Sequence, residues 1–252
     1  MRIIGFCALF AASLMLSSCL TMIELYRFNA DGSGHYSTVV DMSKMIANPM
    51  FAMAAAEQLG ENPDELSGID TSFNMYEQLA AANPQWTEKE AAYIKRIESR
   101  MQLDFENENG GIYVDYDFDS TEELAEMQRV FQAANKPEGD GGLGGLSSNM
   151  GTNITSFQWG RGKLSRTTEI VSSMNDQLGL EPDQLAMMES MFSDARLIYI
   201  MEFPGRIKKV QGFPGVQNTG NTLTFEFPFL DMINNPESID AALDGNVKFK
   251  RR

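Results

Sequence analysis

Alternating hydrophobic and polar residues predict β-hairpins along the chain. The segment IELYRFNADGSGHYSTVVDM, residues 23–42, has two runs of β-branched and aromatic residues around an Asn-Ala-Asp-Gly-Ser-Gly turn, a pattern typical of a hairpin. Two further hairpins are predicted in residues 103–120, around Asn-Gly-Gly, and in residues 155–171. Strands are also predicted in residues 195–212, 221–229 and 244–250. The short connections between them favour antiparallel pairing.

Helical spacing and capping residues predict the helices. Thr87-Glu88-Lys89-Glu90 resembles a capping box before residues 91–102, where Ala91, Ile94, Ile97 and Met101 share one helical face. A helix is also predicted after Ser43 toward Leu59, with a kink at Asn48-Pro49, and short helices are predicted within residues 62–85. Another helix is predicted after Ser120, and the last over Pro182–Phe192. The helix after Ser120 has an apolar stripe of Leu124, Met127, Val130 and Phe131.

These elements predict an α+β fold in which helices pack on one face of an antiparallel sheet of about eight or nine strands. Residues 136–151 contain the glycine-rich segment GDGGLGGLSSN, whose composition is typical of a flexible loop. The segment lacks the Gly-Lys-Ser/Thr ending of a phosphate-binding loop. The chain is therefore predicted to form one domain containing a long loop.

The N-terminus predicts a secretory signal. It has one positive charge at Arg2, an apolar run over residues 3–16 and small residues before a cysteine, and the run is too short to span a bilayer. Leu16-Ser17-Ser18-Cys19 resembles the lipobox of bacterial lipoproteins. This resemblance implies a lipid on the Cys19 thiol and cleavage before it, leaving residues 19–252 as the mature chain; the alternative is an ordinary signal peptide with an incidental cysteine.

The surroundings of Cys19 predict its location in the cell. The other cysteine, Cys7, lies within the segment to be removed, so no thiol remains to form a disulfide. No aspartate follows Cys19 directly, which by resemblance to the enterobacterial sorting rule favours the outer membrane. No acidic cluster follows either, and we therefore expect the domain to face the periplasm.

The charge balance excludes one class of partner. The chain has 20 basic and 35 acidic residues, a formal net charge of −15. Nucleic acid is therefore not an expected partner, because phosphate binding needs a basic surface. Anionic lipid headgroups should also repel most of the surface, which leaves the acyl chains on Cys19 to anchor the protein.

Two segments resemble known lipoprotein families. Residues 28–45, FNADGSGHYSTVVDMSKM, resemble the start of many Bacteroidetes lipoproteins of unknown function. The segments EFPGRIKKVQG and NTLTFEFPF are similar to a strand pair of the LppM-type lipoprotein domain. The residues that carry this second match are Pro204, Gly205, Gly212, Asn221, Thr222 and Leu223. The resemblance implies a membrane-anchored α+β domain, with lipid or glycolipid binding suggested for the mycobacterial relatives.

Catalytic and metal-binding patterns are weak. His35 is the single histidine, so any histidine-dependent nucleophilic mechanism must use it. No G-x-S-x-G or H-E-x-x-H motif accompanies it, and we expect an exposed polar residue at a strand end. A zinc site is not predicted, since one histidine and one lipidated cysteine supply too few ligands.

Alternating carboxylates form a second candidate site. Asp115, Asp117 and Asp119 would share one strand face, and oxygen clusters of that kind can bind calcium. An EF-hand loop starting at Asp115 would need glycine at its sixth position and glutamate at its twelfth. These positions hold Ser120 and Glu126, so the glycine is missing and the motif is not matched. The expected structure is a half-buried strand. Hydrolysis by paired carboxylates would need two acids facing each other across a cleft.

Methionines are abundant, with 17 in the chain. They cluster at Met42, Met45, Met50 and Met53, and again at Met187, Met188 and Met191. Core packing is the favoured role, with a lipid-facing pocket second. Copper(I) binding is disfavoured because companion histidine and cysteine ligands are absent.

Basic residues concentrate near the C-terminus. One group comprises Lys248, Lys250, Arg251 and Arg252, and another comprises Arg206, Lys208 and Lys209. If the two groups meet in space, they could contact an anionic headgroup or peptidoglycan; otherwise they form a solvated strand end.

The sequence thus predicts a membrane-anchored lipoprotein of the bacterial envelope that is not an enzyme and needs no metal or cofactor. It is expected to bind an apolar or lipid ligand, or an envelope protein. The alternatives are a carboxylate-based envelope hydrolase and a passive scaffolding component.

Overall fold

The computed structural model describes residues 20–47, 53, 56, 68–74, 77, 86–134, 153–170 and 192–250. Their strands are β1 (Thr21–Phe28), β2 (Gly34–Asp41), β3 (Ile69–Asn74), β4 (Glu98–Asp104), β5 (Asn109–Phe118), β6 (Asn153–Gly160), β7 (Lys163–Ile170), β8 (Arg196–Glu202), β9 (Ile207–Gly212), β10 (Gln217–Thr219), β11 (Thr222–Pro228) and β12 (Gly245–Phe249). Their helices are α1 (Ser43–Ile46), α2 (Glu88–Lys95), α3 (Thr121–Ala134), α4 (Phe229–Asn234) and α5 (Pro236–Leu243). The fold is α+β, as the sequence predicts.

The described strands form two sheets. The large sheet has the order β10-β11-β8-β1-β2-β5-β4-β3, and the small sheet has the order β6-β7-β12-β9. Neighbouring strands are antiparallel except β1 and β8, which run parallel with Met22 opposite Leu197. The expectation of antiparallel pairing is wrong for this pair, because most of the chain separates the two strands and no short connection constrains their direction.

The first predicted hairpin is confirmed as β1 and β2, with Tyr26 opposite Tyr36. In its turn, the Ser33 amide donates to Asp31 Oδ1 at 3.1 Å. Gly32 has a φ of +98°, and a Cβ added there would lie 2.7 Å from Cδ1 of Trp159 on β6. The turn therefore needs glycine both for its backbone conformation and for its contact with the small sheet.

The capping box before α2 is confirmed. Thr87 Oγ1 accepts from the Glu90 amide at 3.2 Å, and Glu90 Oε2 accepts from the Thr87 amide at 2.8 Å. The helix predicted to continue to residue 102 is wrong beyond Lys95, because residues 98–104 form β4 between β3 and β5. Pairing on both sides satisfies the backbone of this segment, which overrides its helical spacing.

Two further elements differ from the predictions. Residues 69–74, placed among short helices, form the strand β3 on β4. The turn between β4 and β5 lies at residues 105–108, where Asp104 accepts from the Asn107 amide at 2.9 Å. The Asn-Gly-Gly predicted as the turn is part of β5 instead; a Cβ on Gly111 would lie 2.5 Å from the Val40 carbonyl oxygen.

Side-chain hydrogen bonds to backbone amides lie at the starts of α1 and α3. Ser43 is the first residue of α1 rather than its cap, and Asp41 Oδ1 accepts from the Ser43 amide at 2.9 Å. At α3, Ser120 Oγ accepts from the Glu123 amide at 3.1 Å, as predicted. The predicted helix from Pro182 lies outside the described residues apart from Phe192. None of the described helices is long and apolar enough to cross a membrane.

The core lies between the two sheets. Phe28 on β1 is 2% exposed. Its ring centroid lies 5.5 Å from that of Phe157 and 5.4 Å from that of Trp159, both on β6. Trp159 in turn lies 5.1 Å from Phe249 on β12. The small sheet therefore packs on the face of the large sheet to which Phe28 points, called the inner face below.

Candidate functional site

The inner face carries a group of polar side chains, called the buried polar cluster here. Its members come from β1, β2, β5, β7 and α3, so both sheets and one helix contribute: Glu24, Tyr26, Tyr36, Tyr116, Gln128 and Arg166. Glu24 and Tyr26 alternate with half-buried residues on β1 and share the inward phase of Met22 and Phe28. The two-residue period of a strand places a carboxylate in this apolar row.

Glu24 is a buried carboxyl group with 6% exposure. Its Oε2 accepts from the Tyr26 hydroxyl at 2.8 Å. Burial raises the pKa of Glu24 to about 7, while the Tyr26 hydrogen bond, the positive charge of Arg166 and the Tyr36 hydroxyl act in the opposite direction. Desolvation outweighs these three contributions. Glu24 can therefore bind or release a proton near neutral pH.

The three tyrosines form a ladder across β1, β2 and β5. Ring centroids lie 4.9 Å apart for Tyr26 and Tyr36, and 4.8 Å apart for Tyr36 and Tyr116. Thr38 donates to the Tyr36 hydroxyl at 2.6 Å, and Gln128 Nε2 on α3 donates to the Tyr26 hydroxyl at 3.2 Å. Burial raises the pKa of all three phenols well above 10, so they stay neutral and can donate hydrogen bonds.

Arg166 brings a positive charge from the small sheet and is 3% exposed. Its guanidinium donates to Thr168 Oγ1 at 2.8 Å and to Thr155 Oγ1 at 3.1 Å. Its ion pair is with Asp244, whose Oδ1 lies 3.9 Å from Arg166 Nη1. Neutral hydroxyls thus supply its hydrogen bonds, and its charge acts on Glu24.

Two buried polar atoms of the cluster lack partners. The Tyr116 hydroxyl and Gln128 Oε1 make no hydrogen bond; elsewhere among the described residues the same holds for Ser99 Oγ and Trp159 Nε1. Gln128 lies beside Tyr116 and acts to lower the pKa of its hydroxyl, against the larger effect of burial. An unpartnered buried polar atom costs about 1–3 kcal/mol, which a bound polar group could recover.

The predicted histidine and aspartates lie on the opposite, outer face of the large sheet. His35 on β2 bridges two carboxylates of β5, with Nδ1 2.9 Å from Asp117 Oδ1 and Nε2 3.3 Å from Asp115 Oδ1. Each ring nitrogen of His35 therefore faces a carboxylate. Asp119 is exposed beyond the end of β5.

An open cleft of about 610 Å³ lies beside this group, lined by residues of β3, β4 and β5 together with Lys95 and Ile97. It includes Glu98 and Asp115, which are direct partners across β4 and β5. Two carboxylates thus neighbour each other on the outer face. Among the described residues, no group of three or more histidine, cysteine, aspartate or glutamate side chains could hold a metal ion.

The described methionines of the two predicted clusters differ in burial. Met42 and Met45 are buried in the core, each 8% exposed, as core packing predicts. Met53 is 62% exposed. Met50 and the cluster at residues 187–191 lie outside the described residues.

The predicted basic groups meet in space. Lys209 on β9 is the direct partner of Lys248 on β12, and the Lys250 amide donates to the Arg206 carbonyl at 2.9 Å. The structure thus brings the two basic segments of the sequence together, whereas Arg251 and Arg252 lie outside the described residues.

Leu16, Ser17, Ser18 and Cys19 of the lipobox lie outside the described residues, as does the loop predicted at residues 136–151. Leu20 is 4% exposed and belongs to the core, and β1 starts at Thr21. The described part of the chain therefore begins one residue after the predicted lipidation site.

The buried polar cluster is absent from the sequence-based predictions. The one signal for it is Glu24, which alternates in phase with Met22, Tyr26 and Phe28. In the segment TMIELYRF both phases contain apolar residues, so the pattern does not reveal which phase faces inward.

Comparison with known proteins found one remote likeness. No family model matches the chain, and no curated protein matches it. Among solved structures, the chain is similar to the folded domain of the LppM protein of Mycobacterium tuberculosis, determined by NMR, with a TM-score of 0.40 and 7% identity over 92% of this chain and 90% of that chain. An origin in Bacteroidetes stays a prediction.

Proposed function

We propose that the chain is a membrane-anchored lipoprotein of the bacterial envelope whose domain binds an amphipathic lipid ligand without catalysing a reaction. The anchor is the acylated Cys19, in the outer membrane with the domain facing the periplasm. The observation that carries the ligand proposal is the pair of unpartnered buried atoms, Tyr116 Oη and Gln128 Oε1.

These two atoms lie in an environment suited to an amphipathic molecule. The rings of the three tyrosines and of Phe157, whose centroid lies 5.2 Å from that of Tyr26, provide apolar surface. The Tyr116 hydroxyl and Gln128 Oε1 provide one donor and one acceptor for a polar group. Ligand sites commonly combine apolar lining with a few placed polar atoms.

The two alternative functions have less support. For a hydrolase, Glu98 and Asp115 are neighbours in an open cleft, but Asp115 is already engaged by His35. For a passive scaffold, a large exposed apolar patch is expected, and Met53 is the one large hydrophobic residue exposed among those the structure describes.

Native mass spectrometry tests the proposal. The domain starting at Leu20, purified from bacterial envelopes without detergent, should carry a stoichiometric lipid. Tyr116→Phe removes the unpartnered hydroxyl but keeps the ring, so the ligand-free protein should gain about 1 kcal/mol in stability while lipid occupancy falls severalfold.

Tyr113→Phe is the matched control, because Tyr113 is on the same strand but faces outward. Its lipid occupancy should equal that of the unmodified protein. A protein that binds no lipid, even with added envelope lipids, would contradict the ligand proposal and favour a protein partner. Equal occupancy in both variants would place the ligand elsewhere.

A further inference from the structure

A row of lysines crosses the outer face of the small sheet. Lys163 on β7 is the direct partner of Lys248 on β12, which is in turn the direct partner of Lys209 on β9. Directly opposed residues on neighbouring strands have Cβ atoms about 5 Å apart, and like charges at that spacing destabilise a sheet. All three side chains are exposed.

Further cations lie beside this row, where β7 and β9 start and β12 ends. The Phe249 amide donates to the Gly162 carbonyl at 2.9 Å, which brings the β6–β7 turn with Arg161 beside β12. Arg206 and Lys250 are joined by a backbone hydrogen bond at the same end. The name basic face is used here for these exposed residues: Arg161, Lys163, Arg206, Lys209, Lys248 and Lys250.

Acidic residues do not compensate the basic face within the described part of the chain. None of its six members has an ion pair there. The neighbouring outward positions that the structure describes hold uncharged residues, Gln158, Ser165, Thr167, Gln211 and Asn246. A concentrated positive surface on a protein with a net charge of −15 indicates an anionic partner.

The basic face lies far from the start of β1. Trp159, one residue before the end of β6, packs against Phe28 at the end of β1. The eight residues of β1 span about 23 Å at about 3.3 Å per step. Since β1 starts two residues after Cys19, an anchored domain has no spacer on which to turn, and its basic face lies at the end of β1 that is distant from the anchoring membrane.

We propose that the basic face binds peptidoglycan, whose peptide stems carry carboxylates and which forms the acidic layer beyond a membrane-anchored periplasmic domain. This proposal rests on the anchor of the proposed function for its orientation, and it is independent of the lipid ligand. The anchoring bilayer is disfavoured as the partner because it lies at the other end of the domain.

Co-sedimentation with purified peptidoglycan sacculi tests the proposal. The full mature lipoprotein is reconstituted in neutral phosphatidylcholine vesicles and mixed with sacculi. Replacing Lys163, Lys209 and Lys248 by glutamine should lower the bound fraction about fivefold. Salt at about 0.5 M should lower binding of the unmodified protein comparably.

A matched control separates the surface from net charge. Lys44→Gln, Lys89→Gln and Lys95→Gln change the charge equally at exposed helical positions, and this variant should bind sacculi like the unmodified protein. Equal binding by both triple variants would overturn the proposal. So would lysine-dependent tethering of anionic phosphatidylglycerol vesicles without binding to sacculi, which would indicate a lipid surface.

The anchor is tested separately in the same preparation. A chain that does not float with neutral vesicles contradicts the anchor and removes the argument from orientation. The comparison of the two triple variants, made then with free protein and sacculi, still decides whether the basic face binds the polymer.

Discussion

Glu24 shows how one residue can link stability to pH. The carboxyl is held in the core by its position on β1, and it accepts a hydrogen bond from the Tyr26 hydroxyl at 2.8 Å. Ionisation leaves a negative charge in a desolvated place. The positive charge of Arg166 acts on it, but the guanidinium donates its hydrogen bonds to Thr168 and Thr155 instead. Burial therefore raises its pKa from 4.5 to about 7.

This shift predicts a fall in stability between about pH 4.5 and pH 7. The folded protein holds the Glu24 proton more tightly than the unfolded chain, so the stabilisation is complete below pH 4.5 and is lost as pH rises to 7. A change from 4.5 to about 7 corresponds to roughly 3 kcal/mol. Urea unfolding across this range measures it, and Glu24→Gln, which keeps an acceptor for Tyr26, should remove most of this slope.

Other carboxylates affect the stability of the protein in a different pH range. Hydrogen bonds lower the pKa values of Asp70, Glu90 and Asp104, so their contributions are lost as pH falls below about 4. These groups therefore serve as an internal control, because their slope should persist in Glu24→Gln. An unchanged slope between pH 4.5 and 7 in that variant would contradict the assignment to Glu24.

The sequence predicts which candidate site residues lie together when they belong to one segment of the chain. The alternation of Asp115 and Asp117 correctly indicates a shared strand face, and the structure adds His35 from the neighbouring strand. The buried polar cluster combines residues from 24 to 166 and arises only when two sheets pack. The hydrophobic periodicity of one segment does not show which distant side chains will pack with it in the core.

At the scale of elements, local chemistry predicts the structure where turns and caps are strong. The β1–β2 hairpin and the capping box at Thr87 match the sequence pattern. The strand β4 does not match it. The spacing of Ile94, Ile97 and Met101 is compatible with one continuous helix and equally with a helix that ends before a strand. The decision comes from hydrogen bonds with β3 and β5, which the segment itself does not encode.

The turn of the first hairpin gives an element-scale prediction. Gly32→Ala adds a Cβ both at positive φ and within 2.7 Å of the Trp159 ring. Gly220→Ala is the matched control, because Gly220 also has positive φ, at +72°, but has nothing within 4 Å of an added Cβ. Chemical denaturation should show about 1–3 kcal/mol more destabilisation for Gly32→Ala.

Equal destabilisation by the two substitutions would contradict a tight contact between the turn and the small sheet. Their shared part measures the backbone cost of positive φ. Their difference measures how firmly the hairpin of the large sheet is held against β6, an arrangement also seen in the contact between Phe28 and Trp159.

At the scale of the whole molecule, the predicted anchor and the fold together orient the domain. Leu20 is buried, and its carbonyl accepts from the Arg196 amide at 2.9 Å. The start of β1 is thus held by β8 directly after Cys19. The edge that contains Thr21, Asp41 and Arg196 should lie nearest the membrane.

Single labelled cysteines test this orientation. The chain has two cysteines; under the proposed anchor Cys7 is removed with the signal segment and Cys19 is acylated, so one added cysteine can be labelled selectively. Lys44→Cys lies just after Asp41, the partner of Thr21, and Ala30→Cys lies in the turn at the other end of β1. In reconstituted protein, a fluorophore at residue 44 should be quenched strongly by nitroxide-labelled lipid headgroups.

A fluorophore at residue 30 should escape quenching, because about 23 Å of strand separates the two ends of β1. The same geometry puts the basic face on the side of residue 30, since Trp159 contacts the turn at Gly32. Equal quenching at both positions would mean that the domain lies flat on the bilayer or tumbles on its anchor. In that case the basic face could reach the anchoring membrane, and the argument for a partner on the far side would fail even if the lipid anchor itself is present.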